Sequence, residues 1–329
     1  MLSVHDTYGR TIDYMRISVT DRCNLRCIYC MPSGGVRHIP GKDILEDEEI
    51  AQIVTSAARL GLRKIRLTGG EPLLRKNLPF LIESLSAIDG IEDIGITTNG
   101  LLLKKYAPVL AAAGLKRVNV SLDSLRTERY REITRGGDIR DVFEGMYEAE
   151  KAGLLPIKIN MIPIRGINDA EIEDFARLTT YTPYHVRLIE FMPITPGKLW
   201  AEKRYVLTGE IKERVSSLAP IMPVKVRKSG PARYFRFEHA PGVLGFISPL
   251  THHFCSSCNR LRMTCDGKLR PCLFSETEVD VKSAIRNGAS DREIERLLRR
   301  SIEIKPEGHL LLRSETSFDH LKPMSRIGG

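Results

Sequence analysis

Three cysteines, Cys23, Cys27 and Cys30, fall within eight residues, in the run Thr-Asp-Arg-Cys-Asn-Leu-Arg-Cys-Ile-Tyr-Cys that begins at Thr20. Thiolates are soft ligands that suit iron–sulfur clusters and zinc. A structural zinc site closes with four protein ligands. The local sequence offers no fourth, because Asn24, Arg26 and Tyr29 are poor donors and His38 lies beyond Pro32 and two glycines. Three thiolates on a four-iron cluster would leave one iron open to a further ligand. A zinc knuckle that borrows a distant ligand, or three unrelated core thiols, are the competing readings of this spacing.

A second group follows late in the chain. Cys255 and Cys258 form a C-x2-C pair after His252 and His253, and Cys265 and Cys272 come next. A cluster site with Cys272 or Cys265 as third ligand fits. So does a zinc ribbon using all four thiols, or a Cys3His site with His252 or His253. Arg260 and Arg262, two apart in this stretch, point the same way if the segment is extended.

The elements that must position these groups alternate from Tyr14 to about Pro193. Strand-like runs are Tyr14–Val19, Lys64–Thr68, Ile94–Thr98, Val118–Leu122, Ile157–Ile164 and Val186–Phe191. Helix-like runs are Asp47–Leu60, Leu78–Ile88, Leu101–Ala113, Val142–Ala152 and Asp169–Leu178. Acids open the first helix, where the dipole favours them, and Gly61, Gly114 and Gly153 close three of the helices. Such alternation implies a parallel sheet with helices outside. Six strands fall short of the eight-fold barrel, and a doubly wound open sheet fits the pattern too. After Pro193, Pro196 and Gly197 the texture changes. Short strands are expected near Val224–Val226, Tyr234–Phe237 and Val243–Ile247, and helices near Val279–Arg286 and Asp291–Arg299. Residues 1–193 and 194–329 are therefore read as a barrel and a smaller C-terminal region.

Ligand sites in parallel α/β folds lie at the C-terminal ends of strands. Thr68-Gly69-Gly70-Glu71-Pro72 follows the second strand, and its glycines would let backbone approach a ligand. Thr97-Thr98-Asn99-Gly100 and Ser121-Leu122-Asp123-Ser124 follow the third and fourth. Arg16, Lys64, Arg66, Lys158 and Arg187 interrupt otherwise apolar strands. Cations are costly to bury alone, so facing inward they would hold a multiply charged anion such as a triphosphate. Outward charges between helices are the alternative. No phosphate loop and no Gly-x-Gly-x-x-Gly is present, so side-chain cations would carry the phosphate binding.

The chain has 329 residues, 42% hydrophobic and 28% charged, with 50 basic against 41 acidic residues for a net charge of +9. That composition suits a globular protein. The charge suits an anionic ligand or nucleic acid without deciding between them. Seven cysteines gathered at two places read as metal binding in a reducing compartment, which points to the cytoplasm. No signal peptide and no membrane-spanning run is expected.

The first cysteine run, with an aromatic residue before its last cysteine, resembles the signature of radical S-adenosylmethionine (SAM) enzymes. That family has a six-stranded partial (β/α)6, TIM-like barrel, and here the C-terminal region would close its open side. Its first cluster binds SAM at the open iron and cleaves it to a 5′-deoxyadenosyl radical. Gly-Gly-Glu-Pro resembles the motif that binds the SAM amino group. Over nearly the whole chain the sequence is similar to the GTP 3′,8-cyclases of molybdenum cofactor synthesis. The similarity includes Arg-Leu-Thr-Gly-Gly-Glu-Pro, Val-Asn-Val-Ser and the terminal Met-Ser-Arg-Ile-Gly-Gly.

The resemblance implies two 4Fe–4S clusters, on Cys23, Cys27 and Cys30 and on Cys255, Cys258 and Cys272. Cys265 departs from the family pattern and is read as a non-ligand. The implied SAM contacts are Tyr29, Gly70, Ser121 and Met192. The implied GTP contacts are Arg16, Arg66, Thr97, Lys158 and the run Arg260, Leu261, Arg262, with Lys64 and Arg187 as additions. The implied chemistry is hydrogen abstraction at ribose C3′ and attack of that carbon on C8 of the guanine. An external one-electron donor and a downstream cyclic pyranopterin monophosphate synthase would be partners, a homodimer fits, and nucleic acid and membrane have no place. The tail through Gly328 and Gly329 would enter the active site. A peptide-modifying radical SAM enzyme and a zinc-dependent nucleic-acid-binding protein are the rival functions.

Overall fold

A computed structural model describes residues 4–192, 204–226, 230–309 and 324–327. Its first part is the expected alternation. The strands are β1 (Tyr14–Ser18), β2 (Lys64–Thr68), β3 (Asp93–Thr98), β4 (Arg117–Ser121), β5 (Lys158–Met161) and β6 (His185–Ile189). Between them run α1 (Asp47–Arg59), α2 (Leu78–Ser86), α3 (Leu103–Ala112), α4 (Thr127–Thr134), α5 (Ile139–Lys151) and α6 (Ile172–Tyr181). The six strands pair in sequence order, all parallel. Helix α1 starts where Glu46 and Glu49 form a reciprocal capping box and three acids occupy its first turn.

The C-terminal region prolongs this sheet at both edges. After α7 (Thr208–Ser216) come β7 (Ile221–Pro223), β8 (Arg233–Phe237) and β9 (Val243–Ile247); β9 joins β6 in parallel and leads outward to β8 and β7. At the opposite edge β10 (Arg260–Met263) lies parallel to β1 and is followed outward by β11 (Lys268–Arg270) and β12 (Val279–Asp280). The sheet order is β12-β11-β10-β1-β2-β3-β4-β5-β6-β9-β8-β7. Helices α8 (Lys282–Arg286), α9 (Asp291–Glu303) and α10 (Met324–Ile327) complete the described elements.

Strand periodicity separates two faces. Met15, Ile17, Ile65, Leu67, Ile94, Ile96, Val118, Val120, Ile159, Met161, Val186 and Leu188 belong to one buried apolar cluster with the inner sides of α1, α2, α3, α5 and α6. The alternate positions, which include Arg16, Arg66, Thr97, Asn119, Lys158 and Arg187, fall on the other face, the interior of the curved sheet. Outward-facing cations are thus excluded in favour of inward ones.

Several expectations need correction. The helix expected over Val279–Arg286 is β12 followed by α8, because Val279 and Val281 alternate with Asp280 and Val279 pairs with Leu269. The strand expected at Val224–Val226 lies at Ile221–Pro223. Helices α4 and α7 were not expected from the pattern, since few of their residues are apolar: Tyr130 and Ile133 with Thr134 are buried in one, Ile211 and Val215 in the other. Strands β10, β11 and β12 carry too many charges to read as strands in isolation.

Candidate active site

The first cysteine loop leaves the C-terminal end of β1 and is fastened on three sides. Behind it, the amides of Arg26 and Ile28 donate to the carbonyls of Thr134 and Ile133 at the end of α4 (3.1 and 2.9 Å), and Arg135 Nη1 donates to the carbonyls of Arg26 and Met31. On one flank the Gly69–Gly70 turn packs directly on its backbone. A Cβ on Gly70 would sit 2.1 Å from the Arg22 carbonyl oxygen, and one on Gly69 would sit 2.5 Å from that of Thr20. The glycines therefore permit close contact with the cysteine loop. On the other flank the Tyr29 hydroxyl donates to Asp123 Oδ2 (2.5 Å), whose second oxygen accepts from the Ile162 amide (2.9 Å).

Glu71 is likewise committed. Its buried carboxylate accepts from the Leu73 amide (3.1 Å), the Thr98 hydroxyl (2.6 Å) and the Asn99 amide (2.7 Å), bracing the end of β2 against the end of β3. Asn99 in turn reaches Asn24 Oδ1 (2.8 Å) and lies 4.0 Å from Cys23 Sγ, which also receives the Leu25 amide at 3.4 Å. Burial pushes Glu71 up to about 7 and Asp123 up to about 6, although hydrogen bonds oppose the shift. Burial also raises Cys23 to about 11 and Cys30 to about 12, and carries Cys27 well above its ordinary value, with the neighbouring thiols adding to the shift of the last two. Ser121, at the end of β4, pairs in register with Asn160. Met192 follows β6 and packs against the small cluster of Phe274 and Ile327.

The interior below this loop is lined by cations. Arg262, Arg16 and Arg66 share one register row across β10, β1 and β2, and Gly95 follows on β3. A Cβ on Gly95 would meet Arg66 Nη1 at 2.3 Å, so the missing side chain is what houses the guanidinium. Arg66 Nε donates to the Tyr14 hydroxyl (3.2 Å) and its Nη1 to the Ile96 carbonyl (3.2 Å). Lys158 pairs with Asn119 and His185, and Arg187 with Asn160 and Gly245. Thr97 Oγ1 accepts from Asn119 Nδ2 (3.4 Å).

Two cations on this face have acid partners: Lys64 binds Asp13 (2.6 Å), and Arg117, not singled out from the sequence, binds Asp93. Among the described residues Arg66, Lys158, Arg187 and Arg260 form no ion pair. The crowding is felt: burial first, then Arg187, Arg117 and Arg66, bring Lys158 down to about 7. Burial would raise the Tyr14 phenol, yet Arg66, Arg16 and Arg260 pull it down to about 8. Leu261 is the exception in its run. It alternates with Arg260 and Arg262 and packs with Met15 in the apolar cluster, so its side chain does not reach the interior.

The second cysteine set sits at the opposite end of the strands. Cys258 precedes β10, which runs parallel to β1, and Cys272 follows β11, which runs back. Cys255 feels Cys272 and Cys258 as neighbours, and the His309 amide donates to its sulfur. Burial would raise Cys258, but Arg260 and Lys305 hold it down to about 7. Arg260 also lies 4.8 Å over the Phe254 ring. Cys265 is elsewhere: buried near Ser18, Asp21 and Asp266, it is pushed up to about 12 by burial. Nothing in the sequence signalled Arg10 and Lys305, which lie beside the second set. The last described turn, α10, buries Ile327 against Phe274. Gly328, Gly329 and the Arg326 side chain lie outside the described residues.

The donor sets suit clusters. Thiols at each end receive N–H groups at sulfur, Cys23 from Leu25 and Asn99, Cys255 from His309 and Cys258 from Arg260, a feature of cluster sites. Among the described residues no three His, Cys, Asp or Glu side chains converge as a single metal ion would require; a four-iron cluster instead takes its thiolates at separate corners. Among the described residues no helix is long and apolar enough to cross a membrane.

Comparison with known proteins is consistent with this geometry. Residues 17–179 match the Radical SAM superfamily and residues 184–311 match Molybdenum Cofactor Synthesis C. Among solved structures, Streptococcus suis SuiB bound to S-adenosylmethionine superposes with a TM-score of 0.59 at 17% identity, covering 96% of this chain and 77% of that one. Native anSMEcpe with bound AdoMet gives 0.59 at 14% identity, covering 92% and 84%. At such identities the likeness is one of fold. The sequence relatives are nearer. The GTP 3′,8-cyclase of Thermodesulfovibrio yellowstonii is 54% identical over 326 residues, 98% of this chain and 99% of that protein. The GTP 3′,8-cyclase of Pelotomaculum thermopropionicum is 50% identical over 328 residues, 99% of this chain and all of that protein. The chain is thus a radical SAM protein and belongs to the GTP 3′,8-cyclase family.

Proposed function

We propose that the chain converts GTP to 3′,8-cyclo-7,8-dihydro-GTP as the first step of molybdenum cofactor synthesis. The observation that carries this reading is the set of inward cations that form no ion pair among the described residues, Arg66, Lys158 and Arg187, lying between two cysteine trios at opposite strand ends. Buried positive charge of that density calls for a polyanion. A peptide substrate gives no reason for it.

The family's cofactors are a 4Fe–4S cluster and SAM, for which Cys23, Cys27 and Cys30 are the holding residues. When bound, they supply one-electron abstraction of a hydrogen atom from carbon. Tyr29, Gly70, Ser121 and Met192 surround that end and are assigned to SAM. Glu71 and Asp123 act at one remove, by fixing the cysteine loop and the strand ends around it. A second cluster is assigned to Cys255, Cys258 and Cys272, with Cys265 left out because it lies with Ser18 and Asp21.

The triphosphate is assigned to Arg16, Arg66, Lys158, Arg187, Arg260 and Arg262. Guanidinium groups are shaped for phosphate oxygens and remain charged when crowded. Lys64 can contribute only by sharing its ammonium with Asp13, and Thr97 offers a hydroxyl to the ribose. This arrangement would hold GTP within the interior, with its base toward the second trio and its ribose toward the first. Attack of C3′ on C8 within one molecule then gains from orientation, and the enclosed interior keeps water and other hydrogen donors away. An external one-electron donor and a cyclic pyranopterin monophosphate synthase complete the proposed partners.

The test is anaerobic incubation of the reconstituted protein with SAM, reductant and GTP deuterated at C3′. The reading expects deuterium in 5′-deoxyadenosine and a cyclised nucleotide product. Unlabelled 5′-deoxyadenosine and intact GTP would overturn it.

A further inference from the structure

The second cysteine set is drawn from two segments, around 255–258 and around 271–272, which flank the antiparallel pair β10 and β11. Two buried cations join them through a third, the stretch that follows α9. Lys305 Nζ donates to the Arg260 carbonyl (2.9 Å) and to the Pro271 carbonyl (2.6 Å), each one or two residues from a cysteine of the set. Arg10 Nη1 donates to the carbonyl of Cys255 itself (2.8 Å) and to that of Glu307 (2.9 Å), and its Nη2 donates to the Pro306 carbonyl (2.7 Å). Arg10 is aimed by Asp6, whose Oδ2 accepts from its Nε at 2.6 Å. The short N-terminal turn that carries both is closed by bonds between Ile12 and Val4 and between Asp6 and Arg10.

Both side chains are buried, Lys305 4% and Arg10 7% exposed. Arg10 has Asp6 to offset its charge, while among the described residues Lys305 forms no ion pair, and its polar neighbours are the two carbonyls, the thiols of Cys258 and Cys272 and the guanidinium groups of Arg10 and Arg260. An unpaired buried ammonium is costly unless something anionic lies beside it. Three thiolates around a four-iron core are such a group.

We propose that Arg10 and Lys305 are positioning residues that preassemble the second cysteine site, fixing the segments of Cys255, Cys258 and Cys272 relative to one another before any metal arrives. This rests on the second-cluster assignment above. Neither residue touches substrate. They act through backbone carbonyls, so the first site should not feel their loss.

The experiment uses the full chain, reconstituted anaerobically, as Lys305→Met and, separately, Arg10→Gln, beside Cys258→Ser and the unaltered protein. Lys305→Met should fall from about eight irons per chain to about four, with the remaining spectrum that of a single cluster and SAM cleavage by reductant retained. Arg10→Gln keeps one donor, so it should retain the cluster but lose it to a chelator about ten- to a hundredfold faster. Full iron with unchanged loss rates in both variants would overturn the proposal. So would equal loss of iron from both sites, which would make the two cations general supports of the fold. If the unaltered protein holds only about four irons, or Cys258→Ser removes none, the second-cluster assignment itself fails, a result distinct from the others because it does not depend on either cation.

Discussion

The two cysteine trios are built from the same ligands by opposite means. The first is local in sequence, three thiols in one loop; Arg135 holds that loop from behind, and its other supports are uncharged or acidic: Asn99, Tyr29, Asp123 and Glu71. The second is assembled from distant segments and its supports are cations: Arg10, Arg260, Lys305 and, within reach, Arg262. The thiols follow their surroundings. All three of the first set are raised by burial, as is Cys255 of the second, whereas Cys258 is held down to about 7 by Arg260 and Lys305. The interior is therefore electrically polarised along the strands, acidic groups at one end and cations in the middle and at the other. Such a field orders two ligands of opposite character. Under the proposed function SAM, which carries a sulfonium, would take the first end and the triphosphate the rest.

Four measurements sharpen or break this contrast. The largest effect is expected at the first trio. Cys27→Ala should bring SAM cleavage to background while the iron of the second site remains, since the two trios share no support; normal 5′-deoxyadenosine formation would remove the first assignment. Next is the choice of thiol at the second. Cys272→Ser should lose about half of the iron, and Cys265→Ser none, because Cys265 is buried with Ser18 and Asp21 at the other end of the sheet. The reverse result would mean that the second trio is wrongly drawn.

A smaller effect tests the polarisation directly. Arg66→Ala or Arg262→Ala should weaken GTP binding by about ten- to a hundredfold, the value of one charge-assisted hydrogen bond at ~1.5–3 kcal/mol, and leave SAM binding unchanged. Equal losses for both ligands would show that the interior does not sort them by charge.

The smallest effect is a pH dependence. Lys158 has its ammonium lowered from 10.5 to about 7 by burial and by Arg187, Arg117 and Arg66. Without ligand it is already charged below about pH 7, and above that it is neutral. A bound triphosphate restores the charge, so binding takes up a proton above pH 7 and affinity falls as pH rises, by up to about tenfold per pH unit. For folding of the empty protein the sign is reversed. The unfolded chain binds the extra proton between about 7 and 10.5, so this residue's penalty fades as pH rises through that window. Calorimetric titration of GTP from pH 7 to 9 should reveal the proton uptake, and Lys158→Met should flatten the profile. A pH-independent affinity in the unaltered protein would place the triphosphate away from Lys158.

Much of this was legible in the residues alone. The C-x3-C-x2-C spacing needs no fold to propose a cluster, because its thiols are neighbours in any conformation the short loop can take. Period-two strands alternating with period-3.6 helices gave the six parallel strands, since burial of one face imposes those periods. Charges within strands marked a polyanion site, but a strand has two faces and the sequence does not say which faces inward; only pairing register, with Gly95 vacated beside Arg66, decided that. The motif Gly69, Gly70 and Glu71 was legible as a strand-end turn, but only the structure shows that the glycines pack on the cysteine loop and that the carboxylate meets Thr98 and Asn99.

Spacing by itself grouped the first three thiols and marked the strand cations as candidates for a polyanion. The second site was decided by tertiary structure. Its thiols come from separate segments, the choice between Cys265 and Cys272 depends on which way β11 runs, and the cations that join the set lie 245 residues from Cys255 in one case and 34 from Pro271 in the other. Hydrogen bonds to backbone carbonyls carry no sequence signature, because every residue offers the same acceptor, and so Arg10 and Lys305 could be found only once the chain had folded around them.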